Sequence, residues 1–301
     1  MLANNNKAII NKLAKNSVKT NKKQYAILFF TIILSAFMLF CVFTIGMTYL
    51  DSSRLQNTRL NGAEYDIATM NGFTSEQLNT LRQNEHVRSV GMESYAGFIQ
   101  STEYDKTVEV GLLWCDEVFW DNLMAPARTK LDGHYPQNKN ELMVTKDILK
   151  ACGNENLSVG DSLILTYENN QGVYTDEFII SGIWDGYGDT SAGFVSKAFY
   201  DESGYDLKNN GILCIKLNHN YVFPTTIQSI EKSLDFSDGQ IFAPTGYIEN
   251  SFKLLLGICG LALVICLSAY LLIYNILYLS VSGKIRYYGL LQSLGMTKKQ
   301  L

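Results

Sequence analysis

The sequence predicts a membrane protein: two transmembrane α-helices flanking an extracytoplasmic α+β domain, with amphipathic cytosolic-face helices at both ends. Three observations predict it. Two runs without a charged residue, Tyr25–Leu50 and Leu254–Val281, are 26 and 28 residues long. Charge is segregated around them, and the residues between them alternate helical and β-branched segments. In the order of the chain, the expected parts are 1–24, 25–50, 51–252, 253–281 and 282–301.

Residues 1–24 carry six lysines (Lys7, Lys12, Lys15, Lys19, Lys22 and Lys23) and no acid. Ile9, Ile10, Leu13, Ala14 and Val18 fall roughly on one helical face with the lysines opposite. That pattern predicts a helix lying on the inner leaflet, where each basic residue near anionic lipid contributes about 1 kcal/mol. Membrane lipid is the first expected partner.

Each apolar run exceeds the roughly 20 residues a helix needs to cross a hydrocarbon core of about 30 Å, and neither contains proline. The first is too long for the apolar part of a signal peptide, and no A-x-A-like site follows it. Residues 282–301 hold Lys284, Arg286, Lys298 and Lys299, again with no acid. All 29 acids therefore lie between Asp51 and Glu249, and with the 15 basic residues between Arg54 and Lys253 the middle carries a net charge of −14 against +10 for the two ends. Basic flanks stay cytosolic. Both ends are accordingly placed in the cytosol of a plasma membrane and 51–252 outside it.

Within the outer segment, "FTSEQLNTLRQ" from Phe73 predicts a helix with a Thr or Ser start and Leu78 and Leu81 at helical spacing. "PTTIQSIEKSLDF" from Pro224 predicts a second, with Ile227, Ile230 and Leu234 on one face. "TVEVGLLWC" (Thr107–Cys115), "DSLILTY" (Asp161–Tyr167), "DEFIISGIW" (Asp176–Trp184) and "GILCIKL" (Gly211–Leu217) predict strands. The mixture reads as an α+β domain in two lobes.

Signals for covalent chemistry are thin. His86, His134 and His219 share no metal-ligand spacing with the cysteines or one another. "WDGYGDTSAG" from Trp184 lacks both the Gly-Lys-Ser/Thr of a nucleotide loop and the distal Glu of an EF-hand, and reads as a turn after a strand. Ser181-Gly182 is no nucleophile elbow. The basic residues sit beside the apolar runs, so nucleic acid is excluded as a partner. No catalytic residue, cofactor or metal is expected. Cys41, Cys259 and Cys266 fall in the apolar runs. Cys115, Cys152 and Cys214 lie outside them, an odd number at wide spacing, which leaves one disulfide open.

In the second run, Tyr270, Tyr274, Asn275 and Tyr278 are polar, and Gly257, Gly260, Ala262 and Cys266 offer a small-residue surface for close helix contact. A Ser-Gly break follows Val281. "YYGLLQSLGMTKKQL" then describes a short amphipathic helix whose basic ends suit lipid or a protein partner equally.

The stretch "IRYYGLLQSLGMTKKQL" resembles the cytoplasmic signature of FtsX-like ABC transporter permeases, which include MacB-type and bacitracin-exporter-type permeases. Tyr288, Gly289, Leu290, Leu291, Gln292, Ser293, Leu294, Gly295, Met296, Thr297, Gln300 and Leu301 fall on it. Tyr287 stands where an acid is common. A second patch, "LDGHYPQNKNELMVTKDILKACGNENLSVGDSLILTY" (Leu131–Tyr167), is similar to the external-domain pattern of the same family, with Val159-Gly160-Asp161 ahead of a strand. "FIISGIW" matches the strand that usually follows.

The resemblance implies a non-catalytic permease subunit working by mechanotransmission. Its coupling helix, Tyr288–Thr297, would rest on a cytosolic ABC ATPase subunit. ATP-driven motion would pass through the spans to an outer domain that expels or releases a peptide, lipid or lipoprotein. It further implies a second permease copy or half, and spans beyond residue 301, so that the chain is an amino-terminal part. An FtsX-type regulator of a cell-wall hydrolase is the alternative within the family. A two-span sensor or binding protein without an ATPase is the alternative outside it. Abundant Asn and Lys suit a Gram-positive bacterium, where an antimicrobial peptide is the commonest substrate by analogy.

Overall fold

A computed structural model describes residues 7–100, 110–187 and 192–293. The chain divides into two units, one of residues 1–49 with 255–301 and the other of Leu50–Leu254.

The first unit begins with α1 (Lys7–Thr20), a basic helix that ends in a turn at Asn21. Helix α2 follows at once as Lys22–Asn61, 40 residues without a break. It runs past the expected boundary at residue 50, because "DSSRLQNTRLN" contains neither Gly nor Pro to stop it before Gly62. Leu50, at that boundary, and Thr58, on the extension, are buried. Two of the described helices, α2 and the later Gly246–Ser282, are long and apolar enough to cross a membrane by length and composition.

The central unit continues with β1 (Ile67–Met70), α3 (Ser75–Gln83), β2 (Val87–Ile99) and β3 (Val110–Cys115). Next come β4 (Arg128–Gly133), β5 (Glu141–Thr145), α4 (Lys146–Ala151), β6 (Ser162–Asn169) and β7 (Gly172–Gly186). It is completed by β8 (Ala192–Val195), α5 (Lys197–Glu202), α6 (Leu207–Asn210), β9 (Ile212–Leu217), α7 (Pro224–Ser233) and β10 (Ile241–Pro244). The helices start where side chains satisfy orphan backbone donors. Thr74 and Gln77 form a reciprocal capping box on α3, and Thr145, Ser196 and Asp206 cap α4, α5 and α6. Pro224 occupies the first turn of α7, where its missing N–H costs nothing.

The strands form one mixed sheet in the order β10-β1-β9-β2-β3-β8-β5-β7-β4, with β6 paired to β2 and β7. Parallel pairing is confined to β3 with β8 and β5 with β7. This single sheet replaces the two lobes expected from the sequence, and the division survives only in the interior. Leu112, Leu142, Phe178 and Ile180 belong to one buried cluster. Ile67, Leu81, Ile215 and Ile230 belong to a second, under α3 and α7. Phe119, Trp120, Trp184 and Phe194 form an aromatic third. Each fully buried large side chain contributes roughly 1.5–3 kcal/mol.

Helix α8, Gly246–Ser282, carries Tyr247, Ile248 and Ser251 as buried residues before its apolar run begins. The final described element is α9 (Ile285–Ser293).

Candidate functional site

The segment singled out by its motif begins where α8 ends. Gly283 N–H donates to Leu279 O at 3.0 Å and Lys284 N–H to Val281 O at 3.0 Å, closing the last turns of α8 at the expected Ser-Gly break. The chain then restarts as α9, with Tyr288 N–H donating to Lys284 O at 3.0 Å. Tyr288, Gly289, Leu290, Leu291, Gln292 and Ser293 thus share one short helix, and the Ser293 hydroxyl donates back to Leu290 O. Leu294, Gly295, Met296 and Thr297 lie outside the described residues.

No residue of α9 is buried. Leu290 is 62% exposed, Ile285 65% and Tyr287 49%. Tyr287, Leu290 and Leu291 share a face by their i, i+3, i+4 spacing. A Cβ at Gly289 would meet nothing within 4 Å, so its surface is open. The helix therefore presents an apolar face of Tyr287, Leu290 and Leu291, none of them buried, beside a basic turn.

In the apolar part of the first unit, close contact falls elsewhere than the sequence suggested. A Cβ at Gly257 or Gly260 would meet nothing within 4 Å, whereas one at Gly46 of α2 would lie 2.6 Å from Ile258 Cδ1. Of the other two members of that surface, Ala262 is buried and Cys266 is exposed. Tyr270, Tyr274 and Tyr278 stack as an exposed ladder, with ring centroids 6.2 and 6.1 Å apart.

The second motif, Leu131–Tyr167, resolves into architecture. Tyr135 lies among the aromatic cluster and its hydroxyl accepts from Cys115 N–H at 3.0 Å, within reach of Cys115 O and Val195 O. Burial pushes its phenol well above the usual range. Glu141 caps the turn before β5, accepting from Gln137 N–H at 2.7 Å, Asn138 N–H at 3.1 Å and the Asn138 amide at 2.8 Å. Desolvation pushes this carboxyl up, but those donors outweigh it and hold it below its ordinary value. In Val159-Gly160-Asp161, Gly160 N–H donates to Ile180 O and Asp161 O accepts from Ile180 N–H, both at 2.9 Å, so the motif docks its turn against β7. Asp161 also accepts from Ser158 N–H at 2.8 Å.

Cys115 and Cys214 are both buried, and all six cysteines are free. β3 and β9, which carry them, flank β2 on opposite sides. Strands about 4.8 Å apart put the two on the order of 9–10 Å from each other, beyond the roughly 7 Å a disulfide allows. His134 and His219 are exposed, and His86 lies 3.7 Å from Glu85. Among the described residues no group of three His, Cys, Asp or Glu could hold a metal ion. Of "WDGYGDTSAG", β7 ends at Gly186, and Gly188–Ser191 lie outside the described residues.

Sequence reasoning missed a buried charge cluster. Lys216, with a side chain 7% exposed, places Nζ 3.2 Å from Glu64 Oε1 and 3.3 Å from Asp66 Oδ2. Arg54 reaches the same Glu64 oxygen at 3.4 Å, and Asp66 Oδ2 accepts from Leu217 N–H at 2.9 Å. Burial raises the Asp66 carboxyl even though Lys216 and the Leu217 amide pull it down. The only sequence signal was a lysine among the apolar residues of "GILCIKL".

No protein-family model matches the chain, and no curated protein matches it. Among solved structures it is similar to the periplasmic region of MacB from Actinobacillus actinomycetemcomitans, at 14% identity and a TM-score of 0.42, covering 64% of this chain and 95% of that one. It is similar to a domain of a permease protein from Porphyromonas gingivalis, at 10% identity and a TM-score of 0.37, covering 60% and 88%. It is also similar to the extracellular domain of the noncanonic ABC-type transporter YknZ from Gram-positive bacteria, at 13% identity and a TM-score of 0.39, covering 60% and 99%.

Proposed function

We propose that the chain is a permease subunit of a mechanotransmission-type ABC transporter, carried in a bacterial plasma membrane with both ends of α1–α9 on the cytosolic side. The observation that carries this reading is α9. It bears the permease-like residues Tyr288–Ser293, follows an apolar helix directly, and buries none of its own residues. An isolated helix of nine residues is marginal in water, so its exposed Leu290 and Tyr287 call for a docking partner. A cytosolic ABC ATPase is the partner that the resemblance of Tyr288–Ser293 to the permease signature implies.

In this reading the chain does no covalent chemistry, and ATP is hydrolysed by the partner. Closure of the ATPase dimer displaces α9, and the Gly283 break lets that short helix tilt without unwinding α8. Helix α8 has no internal proline and carries buried residues near its start, so an axial push is transmitted instead of being absorbed. The central domain then releases a peptide, lipid or lipoprotein at the outer face.

The test is purification in mild detergent from the native membrane, beside a Gly289→Pro, Leu290→Asp variant, with co-purifying ATP turnover as the readout. Proline removes a helix donor and aspartate charges the apolar face. Loss of ATPase from the variant alone, with expression and insertion unchanged, supports the coupling role. Absence of any ATPase from both preparations rejects it in favour of a sensor or binding protein.

A further inference from the structure

The central domain holds a cleft of about 410 Å³ whose wall is lined by Glu64, Arg88, Ser89, Asp121, Asn122 and Lys216, among others. The geometry points to this cleft as a binding site for a small amino-carboxylate zwitterion of di- or tripeptide size. Its volume is within the roughly 300–1,000 Å³ usual for small-molecule sites. Two of its lining charges, Arg88 and Asp121, are exposed, and an apolar ligand would strip their water without replacing it.

The wall is assembled from four separate parts of the chain. Glu64 comes from the link between α2 and β1, Arg88 and Ser89 from the start of β2, and Lys216 from β9. Asp121 and Asn122 come from a single turn of π-helix, Val118–Leu123, a rare geometry that recurs at functional sites. The parts are locked together. Ser89 and Lys216 are register partners across β2 and β9, and Glu64 N–H donates to Leu123 O at 2.6 Å. Below them the Lys216–Glu64–Asp66 cluster fixes the floor. Lys216 Nζ lies 3.2 Å from Glu64 Oε1 and 3.3 Å from Asp66 Oδ2, so its charge is already matched by carboxylates at the floor.

The groups on the rim are a different matter. Arg88 and Asp121 are exposed, and neither forms an ion pair among the described residues. Burial lowers the Arg128 guanidinium while the charge of Asp121 pulls it the other way, and Arg128 stacks 4.1 Å over the Trp120 ring without forming an ion pair with Asp121. One uncommitted guanidinium and one uncommitted carboxylate on the same cleft match a ligand with one carboxylate and one ammonium. Arg88 takes the carboxylate by charge-assisted hydrogen bonds, and Asp121 takes the ammonium. Ser89 and Asn122 supply neutral donors and acceptors for the peptide group between them.

The test is saturation-transfer NMR on the whole chain in nanodiscs, with triglycine as the probe and N-acetyl-triglycine and triglycine amide as single-charge controls. The variants are Arg88→Gln and Asp121→Asn, near-isosteric changes at exposed side chains, each checked by thermal unfolding against the wild type. Saturable triglycine binding that weakens tenfold or more with either control peptide, and tenfold or more in each variant, supports the site. No saturable binding to the wild type, or any smaller loss, overturns it. Nucleotide and ATPase are absent throughout, so failure here leaves the permease reading standing, and failure of the pull-down leaves this result standing.

Discussion

Gly46 of α2 lies against Ile258 of α8 so closely that a Cβ at residue 46 would fall 2.6, 2.7 and 3.2 Å from three atoms of that one isoleucine. Rotating a terminal methyl does not clear all three, and a β-branched side chain has few alternative rotamers. Gly46→Ala is therefore expected to destabilise by about 1–3 kcal/mol, while Gly257→Ala and Gly260→Ala leave stability unchanged or slightly improved. Thermal unfolding in detergent checks this. Adding Ile258→Ala to Gly46→Ala should recover most of the loss, and strict additivity of the two would contradict the contact.

Glu93 sits largely buried with the Cys214 thiol as its hydrogen-bond donor at 3.8 Å, and burial pushes its carboxyl up to about 7. The hydrogen bond from Cys214 pulls the other way and offsets only part of that burial. With a folded pKa above the unfolded one, the folded state binds the extra proton. Below the ordinary glutamate range Glu93 contributes nothing to the pH dependence. Stability then falls as pH rises through the interval up to about 7, by no more than about 3 kcal/mol, and levels off above it. Glu93→Gln should remove that slope and be the more stable protein at pH 8. Hydrogen exchange of β2 and β9 amides between pH 5 and pH 8, corrected for intrinsic rates, reads the difference, and parallel profiles for the two proteins would refute it.

Removing one member of the Lys216 cluster should cost more than removing two. Lys216→Met leaves Glu64 with only Arg54 and strands Asp66 beside apolar neighbours, an expected loss of about 3–5 kcal/mol. Lys216→Met with Asp66→Asn keeps a neutral acceptor for Leu217 N–H and should recover at least about 1 kcal/mol. The pH test has a fixed sign. Without Lys216 the Asp66 carboxyl rises further, so the penalty of the single variant shrinks on acidification as Asp66 takes a proton. A penalty that grew towards pH 4 would contradict the burial of that charge.

How much of this was legible in the sequence depends on whether alternation survived folding. β6 reads as a strand because Leu163, Leu165 and Tyr167 are buried in strict alternation. α3 and α7 announce themselves by a Thr or Ser start and by an N-terminal proline, each ahead of apolar residues at helical spacing. β2 does not, although it is 13 residues long and central. Its register shifts between Val87 and Ser89 and again between Tyr95 and Gly97, and each bulge breaks the period of two on which recognition depends. The extension of α2 to Asn61 was hidden because it is polar. Tyr288–Ser293 was legible through its motif, being contiguous. The cleft was not, because Arg88, Asp121 and Lys216 become neighbours only when β2 pairs with β9 and the π-turn folds over them.

Two glycines of the second motif separate a steric demand from a conformational one. Gly133 and Gly160 both have positive φ, +90° and +95°, which costs an L-residue of order 1–3 kcal/mol. Their surroundings differ. A Cβ at Gly160 would meet nothing within 4 Å, so Gly160→Ala should cost only that backbone strain. A Cβ at Gly133 would lie 2.3 Å from Ser181 O and 2.8 Å from Gly182 Cα, both backbone atoms of β7. Those atoms cannot swing aside as a side chain does, and Gly133 pairs with Gly182 at the end of β4. Gly133→Ala must therefore push the edge strand away from β7 as well as bear the strain. Its cost should exceed that of Gly160→Ala by at least about 1 kcal/mol, towards the upper range for overpacking. Limited proteolysis and thermal unfolding of the two variants read this ordering, with faster cleavage in β4 for Gly133→Ala alone. Asn is the informative third substitution, because it tolerates positive φ better than Ala does. Gly160→Asn should regain part of the loss, whereas Gly133→Asn should not, since the larger side chain meets the same carbonyl.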